Sequence, residues 1–312
     1  MIDRYNPDLA AAISESVEQK TLGWEVNVSP VEINLPEMAV QHGYDLVEQW
    51  SRLFLKENTW VQQSLGIPSL FARIDASLDS DGNLLPYEIE ERPGGIGAAT
   101  VYNPDFKGRL AELRQSWPDF QVVVSKERKG HDDALWADVV SLEDARPDML
   151  CLVRAEPEEQ EFHPLEPSSI SSLKGKGNKM YGVQMGLWKP ISSQDSLDWD
   201  RPFALKPVQG SKSRDVRLWD PDNHRAQGIA TRTKITETLQ RHGVMYQQDY
   251  IPPIEIGNNG KTLYMIHRVF YGYDLPEQKW KYIGGFYNVR PSLIIHGARD
   301  TIFGPVVPNG SS

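Results

Sequence analysis

Four charged residues in the first third of the chain are spaced in a way that suits a metal ion and a phosphate group. Arg73 and Asp75 are two positions apart, and so are Glu88 and Glu90. Alternate side chains of a β-strand share one face, so the members of each pair would point the same way. Clustered carboxylates suit Mg²⁺, and the planar donor fork of an arginine suits a phosphate.

The residues between the two pairs predict that the four charges meet. Residues 79–83, Asp-Ser-Asp-Gly-Asn, are a strong turn signal between strand-like segments at 69–78 and 84–91. A hairpin would place three carboxylates and the Arg73 guanidinium on one face. The alternative is a solvated strand face on which Arg73 pairs with a carboxylate. Apolar residues in both strands, and a Gly-rich loop at 92–97, favour the covered site.

A lysine at the end of an apolar strand predicts a second charged element. Lys206 closes a strand-like segment at 202–207, and residues 216–219 are its expected hairpin partner. The intervening loop is polar and contains Gln209, Gly210, Ser211, Lys212 and Arg214. Backbone amides and cations of this kind suit a lid over a polyphosphate. The alternative is an ordinary surface loop rich in turn residues.

Two further segments carry candidates for nucleotide binding. Lys179 lies in the first turn of a predicted helix at 178–187, where a cation opposes the helix dipole. An anion site at a helix start would contain such a residue, although a surface lysine is the simpler interpretation of Lys179 alone. Gln247 and Gln248 belong to a strand at 245–250 that two prolines follow. A hinge there would offer amide groups to an adenine edge; the alternative is a plain strand end.

One segment imitates a phosphate-binding P-loop without satisfying it. Residues 257–262, Gly-Asn-Asn-Gly-Lys-Thr, end as the motif does, but its required first glycine is replaced by Glu255. Asn-Asn-Gly is a good hairpin turn, so we expect a turn between two strands here. The seven histidines show no spacing typical of metal ligands.

The remaining pattern predicts a mixed protein in two parts. Helices are expected at 38–62, 105–117 and 228–242, and strands at 120–125, 149–153, 263–271 and 280–287. The order of helices and strands in the first part suggests an α/β portion. A polar, proline-containing stretch near residue 170 predicts a boundary between residues 1–170 and 171–312.

Composition limits the possible partners and compartments. The 312 residues carry a net charge of −10, which disfavours a nucleic-acid partner. Cys151 is the only cysteine and lies in an apolar run, so we expect a buried side chain and neither a disulfide nor a nucleophile. The sequence shows no membrane-spanning segment and no secretion signal, which predicts a cytoplasmic protein.

Taken in order, these segments resemble the glutathionylspermidine synthase family of ATP-grasp ligases. That family has an Arg-x-Asp strand, a Glu-x-Asn strand, an Asn-Lys helix start, a Lys-Pro strand with a Gly-rich lid, and a Gln-bearing hinge. The resemblance implies an ATP-grasp-like α/β (α+β) fold, with two lobes of mixed and antiparallel sheets enclosing a nucleotide cleft. It also implies an ATP- and Mg²⁺-dependent ligase that joins a carboxylate to an amine through an acyl phosphate.

The resemblance assigns a role to each candidate residue. Arg73 would contact the γ-phosphate and the acyl phosphate. The implied metal ligands are Asp75, Glu88 and Glu90, and the implied ATP-binding residues are Lys179, Lys206, Gln209, Gly210, Ser211, Gln247 and Gln248. Glu90 stands where the family has asparagine, the lid has Ser-Lys-Ser, and residues 100–170 match no family segment. The alternatives are a phosphotransferase on the same fold and a non-catalytic nucleotide-binding or interaction protein.

Overall fold

The computed structural model describes residues 7–21, 25–53, 59–125, 132–155, 159–173, 179–208, 215–223, 228–258, 261–293 and 300–309. The α-helices are α1 (Pro7–Glu15), α2 (Glu37–Leu53), α3 (Trp60–Leu65), α4 (Ile96–Tyr102), α5 (Pro104–Ser116), α6 (Met180–Gln184) and α7 (Arg232–His242). The strands are β1 (Glu18–Thr21), β2 (Glu25–Val28), β3 (Ile33–Leu35), β4 (Phe71–Leu78), β5 (Leu84–Glu90), β6 (Phe120–Val124), β7 (Val139–Ser141), β8 (Leu150–Arg154), β9 (Trp188–Ile191), β10 (Phe203–Pro207), β11 (Arg217–Trp219), β12 (Met245–Asp249), β13 (Ile254–Asn258), β14 (Lys261–Asp274), β15 (Lys279–Arg290) and β16 (Ile302–Pro308). The fold is therefore a mixed α/β structure.

The largest sheet combines strands from both ends of the chain. Within the described residues it has nine strands, in the order β1-β2-β16-β15-β14-β4-β5, with β13 on β14 and β3 on β16. Most pairs are antiparallel, while β16 runs parallel to β2 and β3. The long aromatic strands β14 and β15 pair antiparallel, as predicted. Because β14 also pairs with β4, this large sheet crosses the boundary expected near residue 170.

Two smaller sheets complete the architecture. The small sheet, in the order β11-β10-β12-β9, is antiparallel and includes the hairpin predicted for β10 and β11. The third sheet, β7-β6-β8, is parallel and lies in the first part of the chain, where the sequence predicted an α/β portion. On the two sides of the predicted Asn-Asn-Gly turn, β13 and β14 pair antiparallel; residues 259 and 260 lie outside the described residues.

Several predicted helices are shorter in the structure. The helix predicted at 38–62 is interrupted at Thr59, which is extended and caps a second helix, α3; α2 is described to Leu53, and residues 54–58 lie outside the described residues. The helix predicted at 178–187 spans only Met180–Gln184. The helix predicted at 228–242 begins at Arg232, after the N-cap residue Thr231. At α3 and α7, side-chain capping by Thr59 and Thr231 sets the helix start more narrowly than hydrophobic periodicity does.

The sequence predicted a loop over the whole Gly-rich segment at 92–97, but in the structure its last two residues belong to a helix. Gly95 adopts a left-handed conformation with φ of 87°, and α4 begins at the next residue, Ile96. Glycine accepts this conformation without the strain that a Cβ atom brings, so it can stop the loop and start the helix. None of the helices in the described part of the chain is both long and apolar enough to cross a membrane.

Candidate functional site

The β4–β5 hairpin brings the four predicted charges together on one face. The register pairs Arg73 with Glu90 and Asp75 with Glu88. Arg73 Nε lies 2.6 Å from Asp75 Oδ1, and its Nη2 lies 2.6 Å from Glu90 Oε2. The hairpin and the shared face are therefore confirmed. Both interpretations drawn from the sequence are partly present, because the face is covered and Arg73 is also paired with carboxylates.

Arg73 is fully engaged by the protein itself. Its side chain is 5% exposed, and Nη1 donates to the Gly94 carbonyl oxygen at 2.8 Å. Nε and Nη2 donate to the two oxygens of Asp75. Burial by itself would lower the pKa of Arg73, but Asp75 and Glu90 outweigh this and raise the pKa above its ordinary value. All three guanidinium nitrogens thus hold the hairpin and the Gly-rich loop in place.

Lys179 comes from a distant part of the chain to the same hairpin. Its Nζ lies 3.1 Å from Glu88 Oε1. Two hydrogen bonds fix the segment: the Lys179 backbone N–H donates to Val208 O at 3.1 Å, and Ile89 N–H donates to Tyr181 Oη at 2.7 Å. The backbone of the start of α6 is therefore tied to the end of β10, and its side chains to β5.

Lys206 lies beside Lys179 and faces β5. Its Nζ donates to the Tyr87 carbonyl oxygen and lies 4.7 Å from the centre of the Trp188 ring. Burial lowers the pKa of Lys206 to about 7; Glu88 opposes this shift, and the Lys179 charge adds to it. For Glu88, partial burial raises the pKa, but Lys179 and Lys206 outweigh it and lower the pKa overall. Lys206 is therefore a cation whose charge an incoming anion would stabilise.

The two hinge glutamines point in opposite directions. Gln248 Nε2 donates to Pro86 O at 2.8 Å, which joins β12 to β5. Its cross-strand partner Ala204 is two residues from Lys206, so Gln248 and Lys206 share a face of the small sheet. Gln247 pairs with Leu205 on the other face, where the apolar cluster with α7 lies. The structure brings Gln248 to the charged residues and not the side chain of Gln247.

One arginine in contact with the hairpin was not predicted from the sequence. Arg268 of β14 pairs in register with Asp75, and its Nη2 lies 3.3 Å from Asp75 Oδ2. Burial lowers the pKa of Arg268, and the Asp75 charge opposes that shift. No motif surrounds Arg268 in the sequence. Only the pairing of β14 with β4, which joins segments almost two hundred residues apart, reveals its position.

A second buried ion pair, between Arg154 and Asp133, contacts the Gly-rich loop. Arg154, at the end of β8, forms two 2.8 Å hydrogen bonds to the carboxylate of Asp133. It also donates to the carbonyl oxygens of Arg92 and Pro93, at 2.8 and 3.0 Å. The region at 100–170, which matched no family segment, therefore hydrogen-bonds to the same loop that Arg73 contacts. Paired carboxylate and carbonyl acceptors satisfy this buried guanidinium.

The side chains on the hairpin face form one group, called here the charge cluster: Arg73, Asp75, Glu88, Glu90, Lys179, Lys206 and Arg268. It contains four basic and three acidic groups, so it has one positive charge in excess when all are ionised. Partial burial raises the pKa of Glu90, with Arg73 opposing the shift. This balance favours an anionic ligand.

The predicted metal ligands keep some accessible surface. The side chains of Glu88 and Glu90 are 30% and 35% exposed, while that of Asp75 is 10% exposed. In the part of the chain that the structure describes, no three His, Cys, Asp or Glu side chains are arranged as a ready set of metal ligands. Gln209, Gly210 and Ser211, the predicted lid residues, lie outside the described residues.

Cys151 is buried, as predicted from its apolar neighbours. Burial, with the Glu166 charge, raises the pKa of its thiol to about 12. A thiol with so high a pKa is a poor nucleophile near neutral pH, so Cys151 does not compete with the charge cluster as a reactive site.

The sequence matches no protein-family model, and no curated protein matches it.

Proposed function

We propose that this chain is an ATP- and Mg²⁺-dependent ligase of the ATP-grasp type that joins a carboxylate to an amine. One observation carries the proposal. Glu88 from the first third of the chain lies 3.1 Å from Lys179, and the Lys206 ammonium is close enough to interact electrostatically with both. The resemblance requires these separate segments to meet, and a set of unrelated surface residues would not do so.

The position of the lysines supports a nucleotide between the large and small sheets. Lys206 and Gln248 both reach from the small sheet to backbone oxygens of β5 in the large sheet. In the proposal, Lys179 and Lys206 bind the α- and β-phosphates, because two adjacent ammonium groups favour a polyanion. Gln248 lies near the base.

An apolar cluster next to Gln248 supports the same orientation. It spans the small sheet and the segment after β15, and it includes Ala204, Leu218, Leu293, Val216, Ile229, Tyr250 and Tyr264. Ala204 is the cross-strand neighbour of Gln248. An apolar wall beside an amide group is the kind of surface that receives a nucleotide base.

The carboxylates supply oxygen atoms of the type that Mg²⁺ prefers. Asp75 and Glu88 stand directly opposite each other in the hairpin, and Glu88 and Glu90 retain accessible surface. These three residues would hold the metal ion, with Glu88 exchanging its contact to Lys179 for one to the ion. Bound Mg²⁺ would neutralise charge on the phosphate oxygens. Arg73 would orient Asp75 and Glu90.

The proposed reaction has two steps. In the first, an oxygen of the acid substrate's carboxylate bonds to the γ-phosphorus, and the bond from that phosphorus to the β,γ-bridging oxygen breaks. ADP leaves with the electron pair. In the second, the amine nitrogen bonds to the acyl carbon, the carbon–oxygen bond to phosphate breaks, and the nitrogen loses a proton to solvent. Catalysis of such transfers depends mainly on positioning and charge neutralisation.

The proposal is tested by product analysis with pools of carboxylates and amines. We expect amide, ADP and phosphate in equal amounts, and a Lys206→Met variant with kcat/KM lowered by about a hundredfold or more. Lys189→Met is the matched control, since Lys189 is an exposed lysine of the same small sheet. A phosphorylated hydroxyl compound as the product would instead indicate a phosphotransferase.

A nucleotide-binding protein without ligase activity is the second candidate. The observation that favours it is that all three carboxylates of the hairpin are paired with cations of the protein. Calorimetry with Mg²⁺-ATP separates the two functions. Binding without ADP formation across all acid and amine pools would support the second candidate and contradict the ligase.

A further inference from the structure

Arg73 and Arg268 both contact Asp75, but they use their donors very differently. All three nitrogens of Arg73 donate to protein acceptors, and its side chain is 5% exposed. Within the described residues, Arg268 makes one ion pair, to Asp75 at 3.3 Å, and its buried Nε has no hydrogen-bond partner. Its side chain is 14% exposed. A guanidinium has five N–H donors, so most of those on Arg268 are not used by the part of the protein that the structure describes.

The guanidinium of Arg268 is nevertheless held in place. Its Cζ lies 5.8 Å from the centre of the Phe286 ring, and Tyr102 packs edge-on against the same ring at 5.9 Å. An aromatic face positions a guanidinium without consuming its hydrogen-bond donors. Arg268 is thus oriented by packing. Its Nε is buried, so the terminal nitrogens Nη1 and Nη2 carry the donors that a ligand can reach.

Strand pairing places Arg268 at one end of an ordered row. Arg268 pairs with Asp75, and Asp75 pairs with Glu88, which contacts Lys179. Neighbouring strands are about 4.8 Å apart, so Arg268 and Glu88 are separated by roughly 10 Å across the sheet. The row therefore has lysines at one end, two carboxylates in the middle and a guanidinium at the other end.

We propose that Arg268 binds the terminal phosphoryl group of the nucleotide, and that Arg73 acts only by fixing Asp75 and Glu90. The inference rests on the proposed function and reassigns the role that the motif resemblance gave to Arg73. A triphosphate that starts at the lysines and crosses the carboxylates ends at Arg268. There the guanidinium neutralises the non-bridging oxygens of the phosphoryl group as it moves from ADP to the carboxylate. The acid substrate then lies on the Arg268 side, towards Tyr102.

The test compares a non-hydrolysable ATP analogue with ADP, both in excess Mg²⁺, by isothermal titration calorimetry. We expect Arg268→Gln to weaken binding of the ATP analogue by about tenfold to a hundredfold, because a charge-assisted contact is lost. ADP affinity should change by less than about twofold, since ADP lacks the terminal group. Arg268→Lys keeps the charge without the fork and should lie between Arg268→Gln and the unmodified protein.

Two further variants complete the design. Arg73→Lys should weaken both nucleotides by similar factors, because it disturbs the carboxylates and not a phosphate contact. Arg52→Gln, on the exposed face of α2, should change neither affinity. Taking the ratio of the two affinities within each variant removes general effects of altered folding.

The outcomes separate this inference from the proposed function. If the unmodified protein binds both nucleotides and Arg268→Gln weakens both equally or neither, the role of Arg268 is wrong while the nucleotide site stands. A selective loss in Arg73→Lys also overturns it. If the unmodified protein binds neither nucleotide, both proposals fail.

Discussion

The surroundings of Lys206 disfavour the protonated form of its amine. It is 7% exposed, packs against Trp188 and lies beside Lys179. Burial removes water that would stabilise the charge, and the neighbouring ammonium repels it. Glu88 compensates only in part, so the pKa falls to about 7. In the free protein near neutral pH, this amine exchanges between charged and neutral forms.

This shift predicts a pH-dependent stability difference. The unfolded chain keeps the Lys206 proton up to its ordinary pKa of 10.5, whereas the folded chain loses it at about 7. Unfolding therefore takes up a proton between these values, and the folded state gains stability as the pH rises through this window. Relative to Lys206→Met, the free energy of unfolding of the unmodified protein should increase by a few kcal/mol from pH 7 to 10. Urea unfolding at several pH values measures the difference.

Lys189→Met provides the control for this experiment, because Lys189 is exposed and its variant should show a constant difference over the same pH range. A Lys206→Met difference that stays flat between pH 7 and 10 would show that the ammonium is not penalised by its surroundings.

At the scale of the elements, the Gly-rich loop and α4 connect the charge cluster to the rest of the fold. Arg73 holds the loop by Gly94 O, and Arg154 holds it by the carbonyls of residues 92 and 93. Asp132 fixes the start of α4, since its Oδ2 accepts from Ala98 N–H at 3.0 Å. The loop is therefore clamped between two arginines and one aspartate, which keeps it at a fixed position beside the site.

Replacement by alanine should destabilise the protein at one glycine of this segment and have little effect at another. A Cβ atom at Gly97 would lie 1.7 Å from the backbone oxygen of Asp132, while one at Gly94 would meet no atom within 4 Å. Gly97→Ala forces the helix away from Asp132 and should cost about 3 kcal/mol of unfolding free energy. Gly94→Ala should change it by less than about 0.5 kcal/mol. Thermal or urea unfolding of both variants measures these costs, and equal costs would refute the close packing of α4.

For the whole molecule, the large sheet joins strands from the two halves of the chain. Its strands β4 and β5 come from the first half, while β14, β15 and β16 come from the second. The contact of β14 with β4 extends over six residue pairs, from His267↔Ala76 to Gly272↔Phe71. Removing either half would expose unpaired strand edges and much of the apolar core.

We therefore expect neither residues 1–170 nor residues 171–312 to unfold cooperatively when produced alone. Circular dichroism during thermal or urea unfolding should show a broad, non-cooperative change for each fragment and a cooperative one for the full chain. A fragment 171–312 that unfolds cooperatively, with the midpoint of the full chain, would restore the boundary near residue 170 as a division between independent domains.

The local sequence was sufficient for features that depend on neighbouring residues. The Asp-Gly turn determined the β4–β5 hairpin, and the alternation of Arg73, Asp75, Glu88 and Glu90 determined their common face. Strand period and turn chemistry act over a few residues, so they can be read directly. The position of Lys206 at the end of a buried strand was predicted in the same way.

Tertiary structure alone decided what depends on pairing between distant segments. Arg268 joins the charge cluster because β14 pairs with β4, and Gln248 rather than Gln247 reaches it because that face of the small sheet is the one turned to β5. Strand order and the packing of sheet faces are set by burial of the whole apolar core, a sum over the entire chain. A short motif contains no information about this total burial, so the contacts of these residues can be identified only from the folded structure.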